Sequence, residues 1–458
     1  MRLQEGGKSV SLGPVVHTPN HSGHFRFGLK APPFESEARD CCTRRPGSQQ
    51  PCLRRDGATR LRGVRPTEKP EKSILSTSSP LPRRRLLLAG GAGLAMLGMA
   101  GCKGGATPSP DSGRLRRIAE ARWPHRLHIE GTTAGGLSGI DYDPIRGEYL
   151  LISDDRSDLA PVRYYIARWP DPPAAPPEPA GVVQLQRPGG GPWPNRRNAV
   201  DGLPVPDPEA LRLRAATNTL LWTSEGDVAR GFGPALYESA RDGRFLREFP
   251  MPAMFQPDQA KRRGPRDNLT FEGVSLTPDG RFAWLAMENA LIQDGPEPAI
   301  GAAGGPCRFT RIDLETGQPD RQVAYVPDAI PLRPLVPGSY ADNGVSEILM
   351  LDADRMLVLE RAYATGRGNS LRLYEIDTRA ASDVLAVDAL APGNHRPAAK
   401  TLVADFATLG LSRLDNTEGM CWGPPLPGGK RMLVVVSDDN FNPLQITQFA
   451  AFEYADRP

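Results

Sequence analysis

Acidic residues recur at two positions of a repeating pattern that starts near residue 137. Each unit has an acid, a short apolar segment, a tight turn, a second apolar segment and a further acid. The acids before the first segment are Glu209, Glu272, Glu347 and Glu418, with Ser138 at the equivalent place in the first unit. The acids after the second segment are Asp154, Asp155, Glu225, Glu288, Glu360, Asp438 and Asp439.

So many carboxylates at close quarters cannot all stay ionised and unpaired; they must be protonated, paired with a base or bound to a metal. Several oxygen ligands together favour Ca²⁺ or Mg²⁺ over softer ions. We therefore predict a cation site, with Ca²⁺ as the expected cofactor. Its predicted ligands are Asp154, Glu209, Glu272, Glu347, Glu418 and Asp438. The alternative is that these acids cap turns and pair with local arginines.

Two arginines directly follow acids of the second group, namely Arg156 and Arg361. An arginine beside a bound cation suits a ligand that carries a phosphate or carboxylate group. We predict Arg156, Arg361 and Glu288 as catalytic residues. An acid next to an arginine is also a routine solvated pair, so this prediction depends on the two groups sharing one site.

Several familiar catalytic sets are missing from the repeating region. Beyond residue 102 the histidines are His125, His128 and His395, none of them in the repeats, which argues against a serine–histidine triad. Segment 136–140 (GLSGI) lacks the second glycine of a nucleophile elbow. Segment 366–369 (GRGN) lacks the third glycine of a dinucleotide loop. Glycoside hydrolysis by paired carboxylates stays open, although no platform of aromatic residues is evident.

The elements that must position these acids are short strands. The repeats recur at intervals of 63 to 75 residues, and each interval has room for four strands, which is typical of a β-propeller. We predict an all-β propeller of five four-stranded blades, with six blades as the alternative. The first strand of a blade leaves the face that the second strand returns to, so both groups of acids should meet around one mouth of the channel. The last unit has three strand candidates, and residues 126–130 are predicted to supply the fourth.

Charge is distributed unevenly along the chain. The formal net charge is +3, but residues 1–101 hold 17 Lys and Arg against 7 Asp and Glu. The remainder holds 39 basic against 46 acidic residues and is therefore acidic. A nucleic-acid partner, which needs a basic surface, is excluded on this ground. We expect a monomer that takes a small-molecule ligand.

The first hundred residues have the marks of an export leader. Residues 1–80 show no apolar periodicity and predict disorder, and translation is expected to start near residue 75. Residues 81–102 contain three arginines, a 14-residue apolar run at 86–99 and a closing cysteine, which predicts a twin-arginine-like lipoprotein signal. Cys102 would then be acylated and hold the protein on the periplasmic face of the bacterial envelope. Residues 103–122 are predicted to be a flexible tether, and residues 123–458 the propeller.

After cleavage at Cys102 the chain keeps Cys102, Cys307 and Cys421. Three cysteines make neither a disulfide framework nor a zinc site. A bridge between Cys307 and Cys421 is left open.

Four motifs resemble a known family. They are LSGIDY at 137–142 with ISDDR at 152–156, FEGVSLTPDG at 271–280, LVLER at 357–361 with GNSLRLYEID at 368–377, and NTEG at 416–419 with VSDDN at 436–440. Together they resemble the "esterase-like activity of phytase" family of exported bacterial propellers, over about residues 125–455. The resemblance implies a propeller and hydrolysis of phosphate or other esters, and assigns no single residue a role. Two hypotheses follow: a metal-assisted phosphoesterase, or a non-catalytic envelope protein that binds a ligand or partner on the same face.

Overall fold

The computed structural model describes residues 113–170 and 175–457. The predicted disordered leader, the signal at 81–102, Cys102 and the start of the tether lie outside these residues. None of the helices in the described part of the chain is long and apolar enough to span a membrane.

The described residues form strands joined by turns and short 3₁₀ helices. In chain order the strands are β1 (Leu115–Arg122), β2 (Leu127–Ile129), β3 (Thr132–Ala134), β4 (Leu137–Asp143), β5 (Glu148–Ser153), β6 (Arg163–Arg168), β7 (Glu178–Gln184), β8 (Pro208–Arg214), β9 (Thr219–Ser224), β10 (Ala235–Ala240), β11 (Phe245–Glu248), β12 (Phe271–Leu276), β13 (Phe282–Met287), β14 (Cys307–Asp313), β15 (Gln318–Tyr325), β16 (Ala341–Met350), β17 (Arg355–Ala364), β18 (Gly368–Asp377), β19 (Lys400–Asp405), β20 (Asn416–Trp422), β21 (Arg431–Asp438) and β22 (Gln448–Tyr454). The 3₁₀ helices are Val228–Arg230, Ala253–Phe255, Ile292–Asp294, Phe406–Thr408 and Pro427–Gly429.

Among the described residues, five four-stranded antiparallel sheets account for all strands except the β2–β3 hairpin. Blades 1 to 4 are β4–β7, β8–β11, β12–β15 and β16–β19, and blade 5 is β20–β22 completed by β1. The first strand of each blade lies next to the first strand of the following blade, and β20 lies next to β4. The predicted five-bladed propeller is therefore confirmed.

The inner strands read as unbroken apolar runs because both faces of each sheet are covered by neighbouring blades. All six residues of β5 are buried, and five of the six residues of β13 are buried. The largest of these side chains fill the spaces between blades: Trp222 packs in the cluster between blades 1 and 2, and Trp284 in the cluster that joins blades 2, 3 and 4. Burial of this apolar surface holds the ring together.

The ring closes through a segment that differs from the predicted one. Strand β1 pairs antiparallel with β22 from Leu115 opposite Tyr454 to Arg122 opposite Gln448. The predicted closing segment, 126–130, contains only the short β2, which pairs with β3. Positive φ angles at Arg126 and Glu130 prevent a longer strand there. The prediction of a tether up to residue 122 is also wrong, because the propeller begins at β1.

Each innermost strand has a β-bulge, which lies near the start of β4, β8, β12 and β20 and in the middle of β16. Pairing with the second strand shifts register between Leu137 and Gly139, Pro208 and Leu211, Phe271 and Gly273, Val345 and Glu347, and Thr417 and Gly419. A bulge re-aims the extra residue and is common beside functional sites. The bulged residues are Ser138, Glu209 (with Ala210), Glu272, Ser346 and Glu418.

Cys307 and Cys421 are both buried and free, so the bridge left open by the sequence is not formed.

Candidate functional site

Two rings of equivalent residues surround one mouth of the propeller channel. The bulge ring consists of Ser138, Glu209, Glu272, Ser346 and Glu418. In the second strand of each blade, one residue pairs with the last residue before the bulge, and the next residue along the chain belongs to the strand-end ring. These residues are Asp154, Glu225, Glu288, Arg361 and Asp438. Seven of these ten positions therefore carry a carboxyl group, two carry a serine and one carries an arginine.

Main-chain hydrogen bonds fix the strand-end ring. The amide of Asp154 donates to the carbonyl of Gly136 (2.8 Å), that of Glu225 to Asp207 (2.9 Å) and that of Glu288 to Thr270 (2.6 Å). Each bond ties the end of a second strand to the chain just before the first strand of the same blade. The ring positions are thus set by the backbone rather than by loose loops.

The rings open into a cavity of about 1230 Å³. Asp154, Glu209, Glu272, Glu288, Arg361 and Glu418 line it. With the surrounding loops, the described lining residues include ten carboxyl side chains and five arginines. The cavity is therefore strongly acidic, with a few bases placed inside it.

Burial raises the pKa of every carboxyl group in the two rings. The pKa of Asp154 rises to about 7 through burial and the neighbouring charges of Glu418 and Asp155. Burial likewise raises the pKa of Glu225 to about 7, although the Thr270 amide opposes the shift. The pKa values of the others lie above their ordinary range because of burial and mutual repulsion; these are Glu209, Glu272, Glu288, Glu418 and Asp438. These groups need a proton or a cation to neutralise them.

Arg361 is the base at the centre of this arrangement. Its Nη2 lies 3.4 Å from Glu288 Oε1, and its Nε lies 3.7 Å from Glu418 Oε1. Only 14% of the side chain is exposed. Burial by itself lowers the pKa of Arg361, but the surrounding carboxylates raise it by more, so the net shift is upward. Arg361 stays charged and neutralises part of the ring.

Arg156 lies on the cavity wall and makes a different pair. Its Nη2 donates to Asp207 Oδ2 and to Asn268 Oδ1. Asp207 comes just before β8, two residues ahead of Glu209. Arg156 and Arg361 therefore stand beside different acids of the same cavity.

Two overlapping groups of three carboxylates have the spacing of cation ligands. Asp207, Glu209 and Glu225 form one group, and Glu225, Glu272 and Glu288 form the other. Within each group, one oxygen from every residue lies within 4.8 Å of the others. Oxygen ligands with this spacing suit Ca²⁺ or Mg²⁺.

A family model described as phytase-like, "esterase-like activity of phytase", matches residues 132–441. The chain belongs to this family. No curated protein matches the sequence.

Solved structures with a similar fold share little sequence with this phytase-like chain. They include an α-L-arabinofuranosidase of Podospora anserina (11% identity, 75% of this chain and 98% of that chain, TM-score 0.38). A periplasmic gluconolactonase of Pseudomonas aeruginosa has 14% identity over 71% of this chain and 88% of that chain, with a TM-score of 0.32. A Dyadobacter fermentans protein of unknown function has 10% identity, 75% and 100% coverage, and a TM-score of 0.35. Likenesses this weak say nothing about what the phytase-like chain binds.

Four of the six predicted metal ligands, Asp154, Glu209, Glu272 and Glu418, line the cavity, together with the predicted catalytic residues. A fifth, Asp438, is fully buried and does not line the cavity. Asn416 Nδ2 connects it to the site, donating to Glu418 Oε1 (2.9 Å) and Asp438 Oδ2 (3.3 Å). Cys102, the predicted lipidation site, lies outside the described residues.

The structure separates Glu347 from the other predicted ligands. The bulge puts Ser346 at the ring position, and Glu347 takes the place that Gly139, Gly273 and Gly419 hold in other blades. A shift of one residue turns a strand side chain to the opposite side. Glu347 therefore points into the channel, where its Oε2 lies 2.7 Å from Arg212 Nη2.

Three acids outside the rings cap turns or pair with basic residues, as in the alternative interpretation of the sequence. Asp155 accepts hydrogen bonds from the amides of the following turn and pairs with Arg163 (2.7 Å). Asp439 accepts from the amides of Gly136 and Phe441. Glu360 pairs with Lys400 (2.6 Å).

Three residues of the carboxylate groups were not predicted as ligands, and one of them, Glu288, was predicted as catalytic instead. Glu225 occupies the same place after the second strand as Glu288 does, which was a usable signal in the sequence. Asp207 stands before β8 in a proline-rich loop, and only the fold brings it beside Glu225.

Proposed function

We propose that this phytase-like propeller is a metal-assisted hydrolase of esters or phosphoesters, exported to the cell envelope. The observation that supports it is the convergence of five ring carboxyl groups and one ring arginine on a single cavity. Buried acids that serve only the fold are usually paired, whereas here seven ring carboxyls share one ring arginine.

A cation fits the donor set. The donors are carboxylate oxygens, which hard divalent ions prefer. Glu225 Oε2 is buried and has no hydrogen-bond partner among the described residues. Leaving such an oxygen unsatisfied is costly unless a proton or cation meets it. When bound there, Ca²⁺ or Mg²⁺ supplies a Lewis acid that polarises a carbonyl or phosphoryl oxygen.

The protein's own residues perform the other tasks. Arg361 holds an anionic oxygen of the substrate and stabilises the charge that develops on it. Arg156 offers a second contact from the wall, since it lies beside Asp207. Glu288 lies against Arg361, and burial raises the pKa of its carboxyl group, so once ionised it is a stronger base toward the proton of an attacking water.

An assay on the purified protein tests the activity. The substrates are phosphomonoesters and carboxylic esters, each with Ca²⁺, Mg²⁺ or a chelator. We expect hydrolysis that the chelator abolishes. Arg361→Gln should lower kcat/KM for a phosphomonoester by about 100-fold or more, the loss of one strong charge contact in a buried site. Glu315→Gln, a change in an exposed turn after β14, is the control.

Cation binding is tested separately by thermal unfolding. Ca²⁺ binds the folded ring only, so it should raise Tm with concentration by mass action. The double variant Glu272→Gln, Glu418→Gln should lose this response. If Tm does not change with Ca²⁺ up to ~10 mM, a concentration above the Kd of the weakest usual extracellular Ca²⁺ sites, the cation site is contradicted. Binding without hydrolysis of any ester would favour the non-catalytic ligand-binding alternative.

The proposed location rests on the leader sequence. We expect the mature protein to begin at lipid-modified Cys102 and to be membrane-anchored through that lipid alone. Mass spectrometry of the N-terminal peptide checks this. An unmodified Cys102, or a peptide from residues 1–70, would contradict it.

A further inference from the structure

We propose that two cations bind side by side at this mouth of the propeller channel, with Glu225 as the ligand they share. This inference rests on the proposed metal-assisted function and adds the number of ions and the residue between them. One position is formed by Asp207, Glu209 and Glu225, and the other by Glu225, Glu272 and Glu288.

The spacing fits one ion in each group. Two oxygens that bind the same Ca²⁺ at ~2.4 Å can be at most about 4.8 Å apart. Each group of three meets this limit separately. The ligands come from two adjacent blades: Asp207, Glu209 and Glu225 flank β8 and β9, whereas Glu272 and Glu288 lie at the ends of β12 and β13. Glu225 lies where the two blades meet.

Glu225 is held in place with one oxygen free. Its Oε1 accepts a hydrogen bond from the Thr270 amide (2.6 Å), and Thr270 Oγ1 donates to the Glu225 carbonyl (2.9 Å). Thr270 belongs to the next blade, so these bonds fix the carboxylate across the blade boundary. The other oxygen, Oε2, is buried and unpartnered, and the residue is only 2% exposed. A carboxylate fixed in this way is organised for a cation rather than for a side-chain donor.

The two arginines neutralise only the outer ends of the five carboxylates. Arg156 pairs with Asp207 at one end, and Arg361 lies 3.4 Å from Glu288 at the other. Among the described residues, no lysine or arginine lies within ion-pair distance of the middle three, Glu209, Glu225 and Glu272. Two divalent ions and two arginines carry six positive charges against these five carboxylates, whereas one ion and two arginines carry four. Asp154 and Glu418 line the same cavity, and Arg361 also lies 3.7 Å from Glu418. The second ion therefore reduces the negative charge that an anionic oxygen of a phosphate or carboxylate would meet there.

The test is the number of Ca²⁺ ions bound by the full chain, measured by equilibrium dialysis and by calorimetry. Relative to the wild type, Glu209→Gln should lose one ion and Glu288→Gln should lose one. The two changes together should lose two, and Glu225→Gln alone should lose two. In each case loss means a Kd raised at least tenfold. Glu315→Gln should lose none.

The outcomes separate this inference from the proposed function. If Glu209→Gln and Glu288→Gln remove the same single ion, the site is mononuclear and the inference is wrong, while metal-assisted function stands. A wild type that binds no Ca²⁺ and no Mg²⁺ overturns both. Should Glu225→Gln fail to fold by near-ultraviolet circular dichroism, the single and double variants of Glu209 and Glu288 still decide between one ion and two.

Discussion

At the scale of single residues, burial governs the protonation of the ring carboxyls. Their pKa values are higher in the folded protein than in an unfolded chain. Those of Asp154 and Glu225 rise to about 7. Such groups stabilise the fold while protonated, and that stabilisation is lost as pH rises through the folded-state pKa. Without metal, the propeller should therefore be weakest in alkaline solution.

We accordingly expect the chelated wild type to lose ~5 °C or more in Tm between pH 5.5 and pH 8. Acids with lowered pKa, such as Glu238, act in the opposite sense only at lower pH, which is why the series starts at 5.5. Added Ca²⁺ should restore the alkaline Tm. The double variant Glu272→Gln, Glu418→Gln should show a flatter profile and, without metal, be no less stable than the wild type. A Tm that rises steadily with pH in chelator would contradict this account.

At the scale of elements, the β-bulges and the glycines near them give the ring side chains their places. A Cβ added to Gly344 would lie 2.5 Å from Glu288 Cγ and 2.7 Å from its Oε1. Gly344 has no positive φ, so alanine there is strained only through Glu288.

We predict that Gly344→Ala displaces Glu288 and weakens Ca²⁺ binding by about tenfold, since relief of the 2.5 Å contact needs a shift of about 1 Å, more than the ~0.3 Å range of Ca²⁺–oxygen distances. Calorimetry measures the change. Gly423→Ala is a matched control, because its Cβ would meet the Tyr149, Met432 and Val434 side chains at 3.0 to 3.1 Å and no acid. Equal affinities for the two variants would show that Glu288 is not a ligand.

Strand β1 is the second element with a testable role. It is the outer strand of blade 5, and without it the full length of β22 becomes an exposed edge. Deleting residues 113–122 from the full chain should lower Tm of the whole propeller and promote aggregation. Deletion of residues 103–112, the tether sequence, should leave Tm unchanged. If removing 113–122 has no effect on unfolding, closure by β1 is not what holds the ring.

At the scale of the whole molecule, one buried ion pair ties the five blades together. Arg212 Nη1 donates to the carbonyl of Ile140 (2.9 Å), and its Nη2 donates to Glu347 Oε2 (2.7 Å) and to the carbonyl of Met420 (3.0 Å). Glu347 Oε1 accepts from the amides of Val274 (3.2 Å) and Ile348 (2.8 Å). These contacts reach β4, β8, β12, β16 and β20, the innermost strand of every blade.

Removing one partner of this pair should destabilise the whole ring. Glu347→Gln removes the carboxylate that is hydrogen-bonded to Arg212, although the charge of Asp141 still acts on that arginine, and should cost about 3–5 kcal/mol in the free energy of unfolding. Replacing both partners, Arg212→Met with Glu347→Leu, should cost less than the single change. Urea unfolding measures each value. The number of Ca²⁺ ions bound should not change in Glu347→Gln, whereas a lost ion would return Glu347 to the cation site.

The sequence by itself determined the family through its four motifs. It also determined the all-β class and favoured five blades over six, because a repeat of four apolar segments is visible without any knowledge of contacts. It also located the acidic mouth. The first two strands of a blade are antiparallel, so the start of the first strand and the end of the second lie on the same face of the propeller. Asp154, Glu209, Glu272, Glu288 and Glu418 were found in this way.

Tertiary structure alone decided the register and the partners. A β-bulge cannot be recognised from composition. Because side chains alternate between the two sides of a strand, the bulge in β16 places Ser346 at the mouth and turns Glu347 into the channel. The closing strand was hidden because LRRIAEAR at 115–122 carries three arginines and joins a partner more than 300 residues away. Glu225 belongs to two carboxylate groups because blades 2 and 3 pack side by side. Long-range packing sets the distance between residues of different blades, so local spacing in the sequence could not show this.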